Sequence, residues 1–248
     1  MVEFVDLATA KAHPGVRVVV QGMAPSPWSE AVKGMFRLAG IPIVCVRQMP
    51  GDKELTAWAG VDNAPVVFHK REPPRTSSQA IVGLVARLFP AIVPSDVAAR
   101  AEAMGLVEMI AGEDGLGWNG RLAMIHAGLA GTGGFPAPVA GYLAKRYGYS
   151  PETHAATELR VKAQLDHLAS KLHGEYFGGA QPNAVDVYLA TFLNPIIGLT
   201  QDDCPNAQPM IIAGFGAAAA AYGEMVPASL LEVRKRMYAK HLAWPISI

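Results

Sequence analysis

The chain changes character near residue 90, and this asymmetry constrains its fold more than any other feature. Before that point, short β-type runs alternate with helical stretches; after it, no convincing strand is found. Val16-Arg-Val-Val-Val20 is β-branched and reads as a strand. Residues 27–39 follow, with Val32, Met35, Phe36 and Ala39 at helical spacing and Pro27 near the first turn. Gly40 ends that helix, and Ile41–Val46 reads as a second strand. A helix that crosses between two strands implies a parallel βαβ unit. A short helix over 52–59, a third strand at Val66–Phe68 after Pro65, and a helix over 77–89 complete the first part.

Phe89–Pro94 reads as a linker, because two closely spaced prolines stop a helix. A long helical region then runs from about 96 to 128, broken at Gly112–Gly117, where three glycines fall in six residues. Residues 131–138 read as a loop. Residues 151–173, 184–193 and 227–240 read as helices, and Ala217–Ala221 as a closely packed helical segment. The organisation expected is an N-terminal extension over 1–15, an α/β unit over 16–90 and an all-α unit over 95–248.

With 21 Lys+Arg against 21 Asp+Glu, the chain lacks the basic footprint of a nucleic-acid binder. At 51% hydrophobic residues over 248 positions it can bury a large core without staples. Its two cysteines, Cys45 and Cys204, supply neither a disulfide framework nor a Cys-rich zinc site, and a reducing, cytoplasmic setting suits them. Glu3 and Asp6 fall where a secretory leader wants positive charge, and no apolar run reaches the ~18 residues of a membrane helix.

G-x-S-x-G, H-E-x-x-H, a phosphate-binding loop and a dinucleotide fingerprint are all missing. The histidines show no metal spacing, since His167 and His173 lie six apart, and His126 reads as an ordinary helical histidine. No metal is expected.

Four segments carry a positive signal. Ser26-Pro27-Trp28-Ser29 puts a hydroxyl at a helix N-terminus, where unpaired N–H groups and the dipole favour an anion. Asn63-Ala64-Pro65-Val66 opens the third strand. Thr76-Ser77-Ser78-Gln79-Ala80-Ile81 opens the next helix. Gly178 to Ala190 contains Asn183 and Asp186 three apart, a reciprocal capping arrangement that reads as structural.

The first segment resembles the active loop of thioredoxin-fold proteins, with serine at both cysteine positions. The second resembles their cis-proline site. The third is similar to the Glu-Ser-x-Ala-Ile motif of glutathione S-transferases, and the fourth to that family's second-domain capping motif. In order and spacing these segments resemble the glutathione S-transferase family over roughly residues 16–195, nearest its serine-type and zeta-like branches. The resemblance implies a thioredoxin-like α/β N-terminal domain, an all-α C-terminal domain and a cytoplasmic homodimer.

It further implies glutathione as co-substrate, with Ser26 donating to the sulfur and lowering the thiol pKa. Ser78 would hold the γ-glutamyl carboxylate, Ala64 would contribute backbone bonds to the cysteinyl unit, and Pro65 and Ser77 would belong to the same glutathione site. Gln48 and Arg75, with Lys70 and Arg71, would supply further polar contacts. Trp28, Met109 and Trp118, with Met104 and Tyr142, would line the pocket of a small apolar electrophile.

The sequence departs from the family pattern at Ser77, where an acidic residue normally meets the γ-glutamyl amine. It departs again at Pro73-Pro74, which disfavour a fourth strand. These departures keep open a non-catalytic binding or scaffold protein on the same fold. A glutathione-dependent isomerase is the other alternative. Without Cys-x-x-Cys, thiol–disulfide exchange is disfavoured.

Overall fold

The computed structural model describes residues 1–248. The α/β part holds β1 (Val2–Phe4), α1 (Leu7–Ala12), β2 (Val16–Gln21), α2 (Pro27–Leu38), β3 (Ile43–Gln48), α3 (Lys53–Ala59), β4 (Val66–His69) and α4 (Ser78–Leu88). The strands form one sheet in the order β1-β3-β2-β4. β1 and β2 run parallel to β3, with Val18 opposite Cys45, and β4 runs antiparallel to β2, with Val18 opposite Val67.

Residues 1–15, expected as an extension, instead contribute a strand and a helix to this unit. β1 covers the outer edge of β3, and Ala10 of α1 is fully buried beside Val46 and Leu55. A three-residue strand interrupted by Glu3 is too short to show periodicity, so only the waiting sheet edge reveals it. Beyond β4, Val67 and Arg75 exchange a single antiparallel bridge. The fourth strand is reduced to that bridge, as the two prolines require.

The run of valines in β2 is explained by burial on both faces. Val18 and Val20 point toward α2, α4 and the helical part, while Val19 packs with Val46, Leu55, Val66 and Phe68. Cys45 belongs to the first of these faces, where burial pushes its thiol up to about 12 and leaves it inert.

After a 3₁₀ turn at Pro90–Ile92 come α5 (Val97–Ala111), α6 (Leu116–Ala130), α7 (Ala137–Arg146), α8 (Pro151–Ala155), α9 (Thr157–Lys171), α10 (Ala184–Ile197), α11 (Pro209–Tyr222) and α12 (Ala228–Lys240). The single helix expected over 151–173 is divided at Ala156. The loop expected over 131–138 yields to α7 at Ala137. α10 is the buried centre of this part, continuing through Pro195 to Ile197. One hydrophobic core runs without interruption from Val18 and Phe36 to Leu189 and Phe192, so the two parts share a core. No helix is long and apolar enough to cross a membrane.

Two local devices fix the framework. Asn183 caps α10 by accepting from Val185 N–H at 2.8 Å, and Asp186 accepts from Asn183 N–H at 2.8 Å and from Phe177 N–H at 2.9 Å. Burial pushes the Asp186 carboxyl up to about 6, against the opposing pull of those N–H donors. At the α5–α6 break, Asn119 donates to the carbonyls of Asp114 and Gly115, and Arg160 pairs with the Asp114 carboxylate. His126, on α6, bonds the Tyr149 hydroxyl at 2.8 Å and stacks on His154 at 3.9 Å, which fastens the segment after α7.

Candidate active site

α2 begins abruptly because Pro27 is pre-set for a first helical position and Ser26 is extended before it. The helix leaves Trp28 and Ser29 N–H groups without intrahelical partners, and Pro27 has none to offer. The Ser26 side chain, only 8% exposed, makes no capping hydrogen bond. The residue lines a cavity of about 960 Å³. Ser29, by contrast, is committed to structure, accepting from Gln21 N–H at 3.0 Å.

Behind Ser29, burial raises the Glu30 carboxyl, and its 2.8 Å pair with Lys33 opposes that rise. Both side chains are nearly excluded from solvent, and the pair belongs to the packing beneath α2.

The Ala64–Pro65 peptide is cis, and both residues line the same cavity. So do Ser77 and Ser78 at the start of α4. Ser77 caps that helix, accepting from Ala80 N–H at 3.3 Å. The N–H groups of Ser78 and Gln79 remain without intrahelical partners. Burial raises the Tyr188 hydroxyl of α10, and the Ser78 side chain opposes that rise. Gln48 also lines the cavity and donates to Asp62 at 3.2 Å.

The opposite wall comes from the helical part. Trp28 reaches across and donates its indole N–H to the Ala111 carbonyl at 2.8 Å. That carbonyl is free because α5 ends there. Trp28 also meets Phe192 edge-on at 4.7 Å. Gly117 permits this approach: a Cβ there would overlap the Phe192 ring and lie 3.2 Å from Trp28. Trp118, Met124, Phe135 and Tyr142 continue the wall, and Arg146 of α7 donates to the Asp62 carbonyl at 3.1 Å across its mouth.

Of the residues expected here, Ser26, Gln48, Ala64, Pro65, Ser77, Ser78, Trp28, Trp118 and Tyr142 come together. Arg75 does not line the cavity; Glu72 holds its guanidinium at 2.8 Å, and Arg87 reaches the same carboxylate. Hydrogen bonds from His69 and then Arg87 drop the Glu72 carboxyl to about 2. Lys70 and Arg71 lie outside the cavity as well. Met109 and Met104 pack against the core and do not line the cavity.

Sequence reasoning missed Asp62, Arg121, Phe135 and the whole of α7. Val139, Tyr142 and Leu143 at helical spacing after Pro138, with Lys145-Arg146 in the last turn, are the signal that could have found α7.

No protein-family model and no curated protein matches the sequence. Solved structures do match. A glutathione transferase family member from Pseudomonas fluorescens, with two glutathione bound, aligns at TM-score 0.62 and 16% identity over 92% of this chain and 89% of that one. A rice transferase in complex with glutathione aligns at 0.61 and 18% over 94% and 93%. A maleylacetoacetate isomerase from Methylobacterium extorquens, with malonate and glutathione bound, aligns at 0.53 and 16% over 90% and 92%. The chain has the fold of the glutathione transferases.

Proposed function

We propose that this protein is a glutathione transferase that activates the thiol of glutathione through the Ser26 hydroxyl. The observation that carries this reading is a convergence. An uncapped serine at the start of α2, the Ala64–Pro65 corner and the open N-terminus of α4 all face one cavity. Glutathione-bound neighbours of the same fold support it.

In this reading the γ-glutamyl carboxylate sits on the N–H groups of Ser78 and Gln79 with the Ser78 hydroxyl. The cysteinyl backbone pairs with Ala64, which brings the sulfur to Ser26. The Ser26 O–H and the α2 dipole both favour thiolate over thiol. The thiolate forms an S–C bond to an electrophilic carbon held against Trp28 and Trp118. The leaving group departs with its electron pair, and the thiol proton passes to solvent. Cys45 takes no part, being buried in the sheet. The protein acts as a cytoplasmic homodimer.

Calorimetric titration with glutathione tests the site. Wild type binds, and Ser78→Ala weakens binding by about 1–3 kcal/mol, the cost of a lost hydrogen bond to a charged group. No heat at millimolar glutathione overturns the reading. Ser77 favours a second one: its hydroxyl is engaged as a cap where the family pattern places an acid, which suits a binding protein without turnover. Turnover without a stable conjugate would instead identify an isomerase, a class represented among the structural neighbours.

A further inference from the structure

The helical wall of the cavity carries an arginine with no counter-ion. Arg121 of α6 is partly buried and lines the cavity. Its guanidinium is surrounded by aromatic faces, 5.0 Å from the Trp28 ring, 5.2 Å from Tyr147 and 6.0 Å from Phe135. Its one hydrogen bond runs from Nη1 to the Tyr147 hydroxyl at 3.1 Å. Asp62, Glu108 and Glu113 also line the cavity, yet no carboxylate comes within 4.0 Å of Arg121. A guanidinium has five N–H donors in a planar fork. Tyr147 engages Nη1, which leaves the Nε–Nη2 edge unpaired, and such an edge recognises a carboxylate in bidentate fashion.

We infer that the co-substrate bound at this wall is anionic, a planar electrophile with a carboxylate that docks on the free edge of Arg121. Its unsaturated body lies against Met124 and Phe135. The inference rests on the proposed transferase reading for the role of the bound molecule, but the recognition step stands apart from glutathione. This co-substrate differs from the small apolar electrophile that the family resemblance implies. An apolar ligand would leave a partly buried cation without a counter-ion, whereas a carboxylate supplies one.

The test separates recognition from turnover. Binding of 3-nitrobenzoate and of 3-nitrobenzamide, which share shape but differ in charge, is followed by quenching of tryptophan fluorescence without glutathione. The acid is expected to bind wild type at least about 10-fold more tightly than the amide, as a charge-assisted pair should, and less tightly as salt rises. Arg121→Gln abolishes that preference while leaving amide binding in place. Arg121→Lys keeps the charge without the fork and retains part of it.

Equal affinity for acid and amide in wild type overturns the inference, as does no binding of the acid at millimolar concentration. A preference that survives in a folded Arg121→Gln also overturns it. Because no arm uses glutathione, failure here and failure of the glutathione titration are independent results.

Discussion

Two helix N-termini in this molecule begin with the same problem and solve it in opposite ways. At α10, every available partner is used: Asn183 accepts from Val185 N–H, and Asp186 accepts from Asn183 and Phe177 N–H groups. Asn183 and Asp186 are both buried. At α2, Ser26 stands in the capping position and caps nothing, and it lines a cavity. A cap residue whose hydrogen bond is made within the chain serves the fold. One whose bond is left unmade at a cavity wall is available to a ligand. α4 lies between the two, since Ser77 caps while the N–H groups of Ser78 and Gln79 stay open.

The comparison breaks if the two termini respond alike to mutation. Asp186→Ala should show the largest effect, because it takes the acceptor from the Asn183 and Phe177 N–H groups at about 3 kcal/mol. For a chain of this size that is a fall in Tm of roughly 6–12 °C by calorimetry. Ser26→Ala should do the reverse, lowering kcat/KM with a nitroaryl halide by about 100-fold while Tm barely moves. That loss corresponds to about 2.7 kcal/mol of transition-state stabilisation. If Ser26→Ala destabilises the fold as Asp186→Ala does, Ser26 is a structural cap and the distinction fails.

Gly117→Ala sharpens the comparison, because Trp28 of the α2 terminus and Phe192 of α10 meet at this glycine. The added methyl should cost about 1–3 kcal/mol through overpacking. It should also shift the Trp28 fluorescence, by prising the indole from the Ala111 carbonyl. The smallest effect is a pH dependence remote from either terminus. Burial, then the neighbouring His126, lowers the His154 pKa in the folded state. The unfolded chain therefore binds protons more readily, so stability declines as pH falls below the ordinary histidine range. His154→Gln should flatten that slope in thermal melts recorded across pH.

The half of the cavity proposed for glutathione was legible in the sequence, and the opposite half was not. Ser26, Ala64-Pro65 and Ser77-Ser78 sit at element boundaries, where proline and hydroxyl side chains leave a local signature. The helical break at Gly112–Gly117 was legible for the same reason. Arg121 and Phe135 are ordinary residues until the chain folds Trp28 and Tyr147 against them, and nothing local marks that contact. Arg75 shows the converse. A cation near a binding motif looks like a ligand contact, but Glu72, three residues earlier, claims it. β1 was invisible because its partner edge on β3 lies some forty residues away.

The ionisation of bound glutathione tests the central claim most directly. The ultraviolet absorbance of the thiolate is followed against pH in the complex with wild type and with Ser26→Ala. The account predicts a thiol pKa in the wild-type complex well below that of free glutathione, and a return toward the free value in Ser26→Ala with glutathione still bound. A bound thiol that titrates as in free solution, or a depressed pKa that Ser26→Ala leaves unchanged, would contradict it.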